Sequence, residues 1–520
     1  IVDIRLTDNK FSWNSEVRDD FTVKYAGFFL ETNISMIRDA TASGVFHSIN
    51  DNYAFVSQIE GNRIIATVDH VRSIPLFYHY KQNEFFYLTD DPVWLREKLG
   101  INNQSKVAAS EFLFSGYVIG KKTLYEGLLQ IQAGEYLIFD IKSGHLDVRK
   151  HYQYTPEPRT SDSRSLDTLL EELDEVHNSI GKRLVESLNG RRAVVPLSGG
   201  YDSRLVLEML HRQKYDNILT FTYGRKHLNW EANISRKIAK YYGVSWHLEP
   251  LDRKEWYDNF RSESFKKFAD YGHDYTSLAH FQDFLAVDKM FKSSILFEND
   301  ILVPGHTGDF IQGGHIPNVI YKNGLKTDDI YDYVKMKHFG LWRSDPESDQ
   351  LLNASLIDYF REQLALKPDE EITKEDFVKA LEFFNWAERQ SKYIVNSVRV
   401  YDYFNMGFRL PLWDLEMTQF WSEIPIDLKF ERSLYLKYVE KYEKHQVKMP
   451  FYLKGMTGKR LDYYLFNRVV AEWYGRINGN KPLILALFEK VQIHDQKRYA
   501  YSLNSLDYAI AYFQYLDQNK

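Results

Sequence analysis

The sequence predicts a protein in two portions: a β-rich first portion, then an α/β portion built on a parallel sheet and extended by helices. Three observations predict it. Short alternating runs separated by polar turns fill residues 1–155, the pattern of half-buried strands. From Leu166 to Arg191 apolar residues recur at helical spacing, the apolar run Ala193-Val194-Val195-Pro196-Leu197 follows, and helix and strand patterns then alternate, as they do around a parallel sheet. Between the two lies Glu157-Pro158-Arg159-Thr160-Ser161-Asp162-Ser163-Arg164-Ser165, polar, Pro-containing and Ser-rich, which suits a linker. The expected domains are therefore 1–158 and 166–520.

In order along the chain, Asn62 to Asp69, Phe85 to Thr89 and Glu135 to Phe139 read as strands, and helical stretches are few before the linker. After it come the helix ending near Arg191, the short buried strand at Ala193, and a helix over Arg204 to His211 that carries Leu205, Val206, Met209 and Leu210 on one face. Ile301-Leu302-Val303 reads as another buried strand, and from about Asp328 the chain is predominantly helical.

Composition narrows the function classes. A chain of 520 residues exceeds one ordinary core at roughly 150 residues per domain. Hydrophobic residues at 44% and charged ones at 27% exclude a disordered or coiled-coil protein. The balance of 66 basic against 72 acidic residues leaves a net charge of −6, so no global basic field exists to hold nucleic acid or an anionic membrane. No apolar run approaches the ~18 residues of a membrane span, and Ile1 to Lys10 lacks a leader-like pattern; a cytosolic protein is the default expectation. The absence of cysteine excludes disulfides, thiolate metal sites and every thiol nucleophile. The 37 Tyr, 34 Phe and 10 Trp are scattered and are read as core packing rather than a stacking platform.

The chemistry lies in Ser198-Gly199-Gly200-Tyr201-Asp202-Ser203, between the strand at Ala193 and the helix that follows. Two glycines remove the Cβ atoms that would keep a phosphate from the backbone, and the new helix aims unpaired N–H groups at the same point. Ser198 and Ser203 add hydroxyl donors; Asp202 would repel phosphate unless a divalent cation lies between them, so Mg²⁺ is implied. A tight strand-to-helix turn is the alternative for S-G-G alone. Gly305-His306-Thr307-Gly308-Asp309 also follows a buried run and ends on an acid, so Asp309 is expected opposite Asp202 across a nucleotide, ahead of the alternative that it caps a helix. The Walker pattern is missing: Gly455-Met456-Thr457-Gly458-Lys459-Arg460 has the wrong spacing.

The S-G-G-x-D-S turn is similar to that of the PP-loop ATP pyrophosphatases, which cleave ATP between its α and β phosphates. Within them the chain resembles the asparagine synthetase family. Asp69-His70-Val71-Arg72-Ser73-Ile74-Pro75-Leu76-Phe77-Tyr78 with Phe86 to Asp91, Thr123-Leu124-Tyr125-Glu126-Gly127 with Gln132 to Leu137, Gly305 to Asp309 with Gly313-Gly314, and Gly407-Phe408-Arg409-Leu410-Pro411-Leu412-Trp413-Asp414 carry the resemblance. It implies an Ntn-hydrolase-like, class II amidotransferase-type first domain and an adenine-nucleotide α-hydrolase-like second domain. It also implies ATP and Mg²⁺ as cofactors, with Leu197, Ser198, Gly199, Gly200, Tyr201, Asp202, Ser203, Thr222 and Gly305 around the nucleotide and Asp202 and Asp309 on the metal. Trp230-Glu231 resembles the family's second acidic helix start. A Lys against the phosphates is expected, and of Lys448 and Lys454 the latter is preferred because Thr457-Gly458 follow it; an ordinary surface lysine is the alternative for each.

The departures from the family are informative. Ile1 stands where glutamine-using members carry Cys, and the R-G-P-D and Y-N-G-E stretches of the glutamine pocket are missing, so glutaminase activity is not expected. His306 stands where asparagine synthetases carry Glu and β-lactam synthetases Tyr. An imidazole with a pKa near ~6.5 can take a proton from an attacking amine; a loop-stabilising role is equally open. Phe408 replaces the Glu before the Arg of R-x-P, which argues against making asparagine from aspartate.

The expected activity is AMP-forming amide ligation with ammonia, a partner glutaminase or a substrate amine supplying nitrogen. The resemblance to Cys-less members points to amidation of a uronic acid-type sugar in surface-polysaccharide synthesis. The alternatives are lactam or macrolactam closure, as in the similar β-lactam synthetases and lasso-peptide cyclases, and a catalytically inactive regulatory relative. A carboxylate small molecule or peptide and a second copy of the chain are the expected partners; nucleic acid and a membrane span are not.

Overall fold

The computed structural model describes residues 1–442 apart from 8–9, 19–20, 29–37, 40–45, 47–48, 60, 159–163, 225–229, 252–254, 256–257, 260–261 and 340–345. Lys448 and Lys454 therefore lie outside the described residues.

Among the described residues ten strands occupy the first portion: β1 (Val2–Arg5), β2 (Asn14–Arg18), β3 (Phe21–Gly27), β4 (Tyr53–Ile59), β5 (Arg63–Val68), β6 (Phe77–Lys81), β7 (Phe85–Thr89), β8 (Leu129–Gln130), β9 (Glu135–Asp140) and β10 (His145–Lys150). They form a six-stranded antiparallel sheet in the order β10-β9-β5-β4-β3-β2 and a four-stranded sheet β1-β7-β6-β8, in which β1 runs parallel to β7. Side chains on successive strand residues point to opposite faces. One set from β4 and β5 (Ala54, Val56, Ile64, Ala66, Val68) accordingly meets Tyr78, Phe86 and Leu88 of the smaller sheet in a common apolar cluster. The opposite set, Phe55 and Ile65 with Val23 and Tyr136, packs a second cluster behind the larger sheet. Phe86 stacks on Phe139 at 4.4 Å between ring centres, which ties the two sheets together.

The second portion opens with helix α1 (Leu166–Leu188), whose N-cap Ser165 accepts from the Thr168 amide at 3.1 Å. Leu169, Leu173, Val176, Ile180 and Leu184 recur along its buried face. The sequence extends this helix to Arg191; it stops at Leu188 because Asn189 (φ 47°) and Gly190 (φ 74°) turn left-handed. Five strands then form one wholly parallel sheet: β11 (Ala193–Pro196), β12 (Ile218–Gly224), β13 (Ser245–Pro250), β14 (Ile301–Leu302) and β15 (Gly407–Phe408). Their order is β13-β12-β11-β14-β15. The chain grows from β11 to one side and then returns to its other side. The strand order therefore reverses between β11 and β14, and a crevice opens at their carboxyl ends, where sheets of this kind bind ligands.

Helices α2 (Tyr201–Arg212) and α3 (Trp230–Tyr242) follow β11 and β12, and short and long helices fill most of the chain from Thr327 to Tyr442. Asn385–Ile394 is wound as a π-helix, a form that concentrates at functional sites. It packs against the first portion. Lys392 and Glu388 form a wholly buried ion pair at 2.5 Å. The Lys392 ammonium also donates to the Val118 and Gly120 carbonyls, and the Glu388 carboxylate accepts from the Gly120 amide. Among the described residues no helix is long and apolar enough to cross a membrane.

Candidate active site

Two turns meet in the crevice. The first leaves β11: Leu197 extends the ladder by donating to the Phe221 carbonyl at 2.8 Å, and the chain then turns through Ser198 to Ser203. Helix α2 begins at Tyr201, three residues before the apolar pattern shows it, with Gly200 as N-cap and no side chain capping it. Its first N–H groups are thereby left for a ligand. The turn braces itself. The Ser198 hydroxyl accepts from the Gly200 amide at 3.1 Å and lies 3.2 Å from the Ser203 hydroxyl, which in turn accepts from the Ser198 amide at 3.1 Å. Buried Arg204 donates to the Gly199 carbonyl at 2.8 Å. Thr222 lies beside the same loop, its hydroxyl 2.5 Å from the Leu197 carbonyl and 2.7 Å from the Ser235 hydroxyl. Thr222 thus stitches β12 to the loop.

The second turn leaves β14, whose ladder is prolonged by Val303 donating to Val194 at 2.9 Å. Thr307 adopts φ 80°, a left-handed angle that a β-branched residue rarely takes and that clusters at functional sites. Its hydroxyl donates to the Gln390 amide oxygen at 3.1 Å, fastening the turn to the π-helix. A Cβ at Gly305 would stand 2.5 Å from the Ser203 nitrogen, and one at Gly308 would overlap the Asp202 carboxyl. Glycine is required at both positions because the two turns are in contact.

That contact brings the two acids together. Asp309 donates its amide to Asp202 Oδ2 at 3.1 Å. Arg432 reaches across both: its Nη2 is 2.6 Å from Asp202 Oδ1 and its Nη1 pairs with Asp309 Oδ1. Asp202 is 19% exposed and Asp309 66%. Burial, opposed by Arg432 and reinforced by Asp309, pushes the Asp202 carboxyl up to about 6. Two carboxylates within reach of one cation, beside free helix N–H groups, are a donor set that fits Mg²⁺, which binds one or two carboxylates and takes its other ligands from phosphate and water. Among the described residues no cluster of three or more His, Asp or Glu side chains suggests another metal centre.

His306 lies in the second turn with its Nδ1 3.2 Å from the Ser397 hydroxyl. Desolvation lowers its pKa to about 4, with Asp283 opposing and His280 adding to the fall. The ring is therefore neutral at pH 7, able to accept a hydrogen bond but a weaker base than a free imidazole. Asp283 accepts from the Tyr223 and Tyr401 hydroxyls at 2.6 and 2.9 Å. Arg409 of the R-x-P stretch points away from the crevice, donating to the Ser187 hydroxyl and carbonyl at 2.9 Å each. Asp414 is held by Arg183 through two 2.8 Å bonds. The sequence gives no local sign of Arg432 or Gln390.

The family model for asparagine synthase matches residues 175–448. A stretch of 63 residues is 41% identical to 7-cyano-7-deazaguanine synthase of Thermoplasma acidophilum, 12% of this chain and 26% of that protein, so the chain spans about a quarter of the length of this curated relative. Among solved structures, the NH3-dependent NAD synthetase of Campylobacter jejuni aligns at 17% identity with a TM-score of 0.21, covering 46% of this chain and 96% of the synthetase. Glutamine phosphoribosylpyrophosphate amidotransferase of B. subtilis aligns at 11% identity with a TM-score of 0.16, covering 45% and 46%. Scores so low make neither alignment evidence of a shared fold. The family match runs over more than half of the 520 residues and takes in both turns of the crevice, and the chain belongs to the asparagine synthase family.

Proposed function

We propose that the chain is an AMP-forming carbon–nitrogen ligase: a substrate carboxylate attacks the α-phosphate of ATP, pyrophosphate leaves, and ammonia or an amine then displaces AMP from the acyl-adenylate. Family membership supports ATP-dependent ligase chemistry. The observation that carries the finer reading is the convergence of Asp202 and Asp309, from two strand-end turns, on one cation beside an uncapped helix start.

In this reading Mg²⁺, when bound, is held by Asp202 and Asp309 and offsets the charge of the phosphates. Backbone N–H groups from Gly199 to Ser203 and the Ser198 and Ser203 hydroxyls orient the phosphates. Leu197, Thr222 and Gly305 frame the nucleotide through their backbone. His306, neutral and facing Ser397, takes the proton that the amine loses on attack. Lys454, or failing it Lys448, stabilises departing pyrophosphate. The resemblance to Cys-less members favours a uronic acid-type sugar as the carboxylate substrate.

We read the first portion as an Ntn-hydrolase-like scaffold, with a domain boundary near 158–166. With no cysteine anywhere in the chain, nitrogen comes as free ammonia, from a separate glutaminase or from the substrate itself. The test is ATP–pyrophosphate exchange over aspartate, uronic acids and peptide acids. Asp202→Asn and Asp309→Asn are expected to fold and to lose exchange; normal exchange in both would refute the assignment.

A further inference from the structure

Arg432 holds a position that the proposed reaction leaves unexplained. Its Nη2 pairs with Asp202, its Nη1 with Asp309, and its Nε donates to Gln312 Oε1 at 3.1 Å. All three edges of the guanidinium are thereby spent on the metal turn and its flank. The arginine keeps its proton at any working pH, so it is a permanent positive charge at the point where the two carboxylates converge. A divalent ion cannot share that point with it without strong repulsion.

The backbone makes this placement deliberate. Glu431 (φ 53°) and Arg432 (φ 62°) are consecutive left-handed residues with side chains, a conformation that persists only where surrounding structure imposes it. Two anchors impose it. Lys429 is buried in an ion pair with Glu382 at 2.6 Å. Gly313, at φ 87°, packs so closely on the Lys429 carbonyl that any Cβ there would overlap it. The segment bearing Arg432 is thus pinned to the Gly313-Gly314 element just behind Asp309, and the Tyr435 ring backs the guanidinium at 4.8 Å. The S-G-G-Y-D-S turn itself contains no Lys or Arg.

We propose that Arg432 is an exchangeable counter-ion: it fills the cation position between Asp202 and Asp309 while no nucleotide is bound, and transfers to the β- and γ-phosphates when metal and ATP enter together. A guanidinium pairs with phosphate as readily as with carboxylate, two parallel bonds at a time. The transfer therefore replaces one set of charge-assisted bonds by another, and leaves the carboxylates to the metal. Its consequence is that divalent metal binds well only with a nucleotide, and that Arg432 clasps pyrophosphate as it departs. This rests on the reading of Asp202 and Asp309 as metal carboxylates.

The test uses the full chain, Mn²⁺ as probe and titration of free Mn²⁺ by electron paramagnetic resonance. Without nucleotide, Arg432→Gln is expected to bind Mn²⁺ about tenfold more tightly than the parent, because the competing cation is gone. The same variant is expected to bind pyrophosphate in the presence of Mn²⁺ about tenfold more weakly, the order of one charge-assisted bond. Arg432→Lys should fall between the two on both measures. A purely structural arginine would weaken both affinities together, so the opposite signs are diagnostic. Mn²⁺ affinity equal to or below that of the parent, or unchanged pyrophosphate affinity, overturns the proposal. If Asp202→Asn and Asp309→Asn keep parental Mn²⁺ affinity, the metal assignment itself fails; if they lose it while Arg432→Gln shifts nothing, only the counter-ion role fails.

Discussion

The two turns of the crevice sit side by side at the ends of β11 and β14 and are stabilised in opposite ways. The first holds its shape with its own hydroxyls: Ser198 and Ser203 bond each other and the amides between them, and Gly200 keeps ordinary backbone angles. The second has no such bonds of its own. Thr307 is forced left-handed, and the turn is held from outside by Asp202 behind Gly308, by Gln390 on the π-helix and by Arg432 across its acid. One turn is a self-supporting cradle; the other is an arm set in place by the rest of the protein. Asp202 should therefore resist distant changes that displace Asp309.

The largest expected effect comes from pressing the arm into the cradle. Gly308→Ala puts a methyl group into the Asp202 carboxyl; it should abolish ATP–pyrophosphate exchange and lower stability by about 1–3 kcal/mol, the usual cost of overpacking. At Gly200 an added Cβ meets only the Ser198 hydroxyl, at 3.2 Å. Gly200→Ala should leave the melting temperature nearly unchanged and show itself in ATP affinity. Equal melting losses in the two variants would erase the contrast between the turns.

Next comes the step after adenylation. His306→Ala should keep most exchange and slow amide formation by ~10²–10⁴-fold, the usual contribution of a general base. Silence in both assays would return His306 to a loop-stabilising role. Gln390→Ala tests the arm from a distance. It strands the buried Thr307 hydroxyl and should cost about 1–3 kcal/mol, with a fall in exchange that Ser198→Ala, a cradle change, matches only through ATP binding. The smallest effect is on pH. Because the folded His306 has its pKa lowered to about 4, the unfolded chain binds a proton below pH ~6.5 that the native protein refuses. Its stability is thus complete above that pH and falls as pH drops toward 4. The loss comes to about 2 kcal/mol at pH 5. Melting curves of the parent and His306→Asn at pH 5 and pH 7 should converge in acid; parallel curves would show that the imidazole is not held neutral.

The cradle was legible in the sequence because the hydroxyls and glycines that give it its shape lie within six residues, between its flanking strand and helix. The helix from Leu166 and the parallel sheet were legible for the same reason, since apolar periodicity is a local signal. The arm was not. Its glycines and closing acid show after the run at Ile301, but what holds it does not: Arg432 is separated from Asp202 by 230 residues, and Thr307 is among the residue types least suited to its backbone angle. His306 was expected to titrate near neutrality; its enclosure, which no motif encodes, moves it to about 4. Thr222 was placed at the nucleotide by resemblance; its hydroxyl is engaged with Leu197 and Ser235, which leaves its backbone for that purpose.

The wholly buried Lys392–Glu388 pair bears on how far the second portion depends on the first. Val118 and Gly120 of the first portion bond its two partners, and Gln390, whose side chain holds Thr307, lies two residues from each of them in the chain. Trimming away the first portion would leave the pair itself intact but strip it of these backbone bonds, at about 1–3 kcal/mol for each buried group left short of a partner. It would also loosen the helix that steadies the arm.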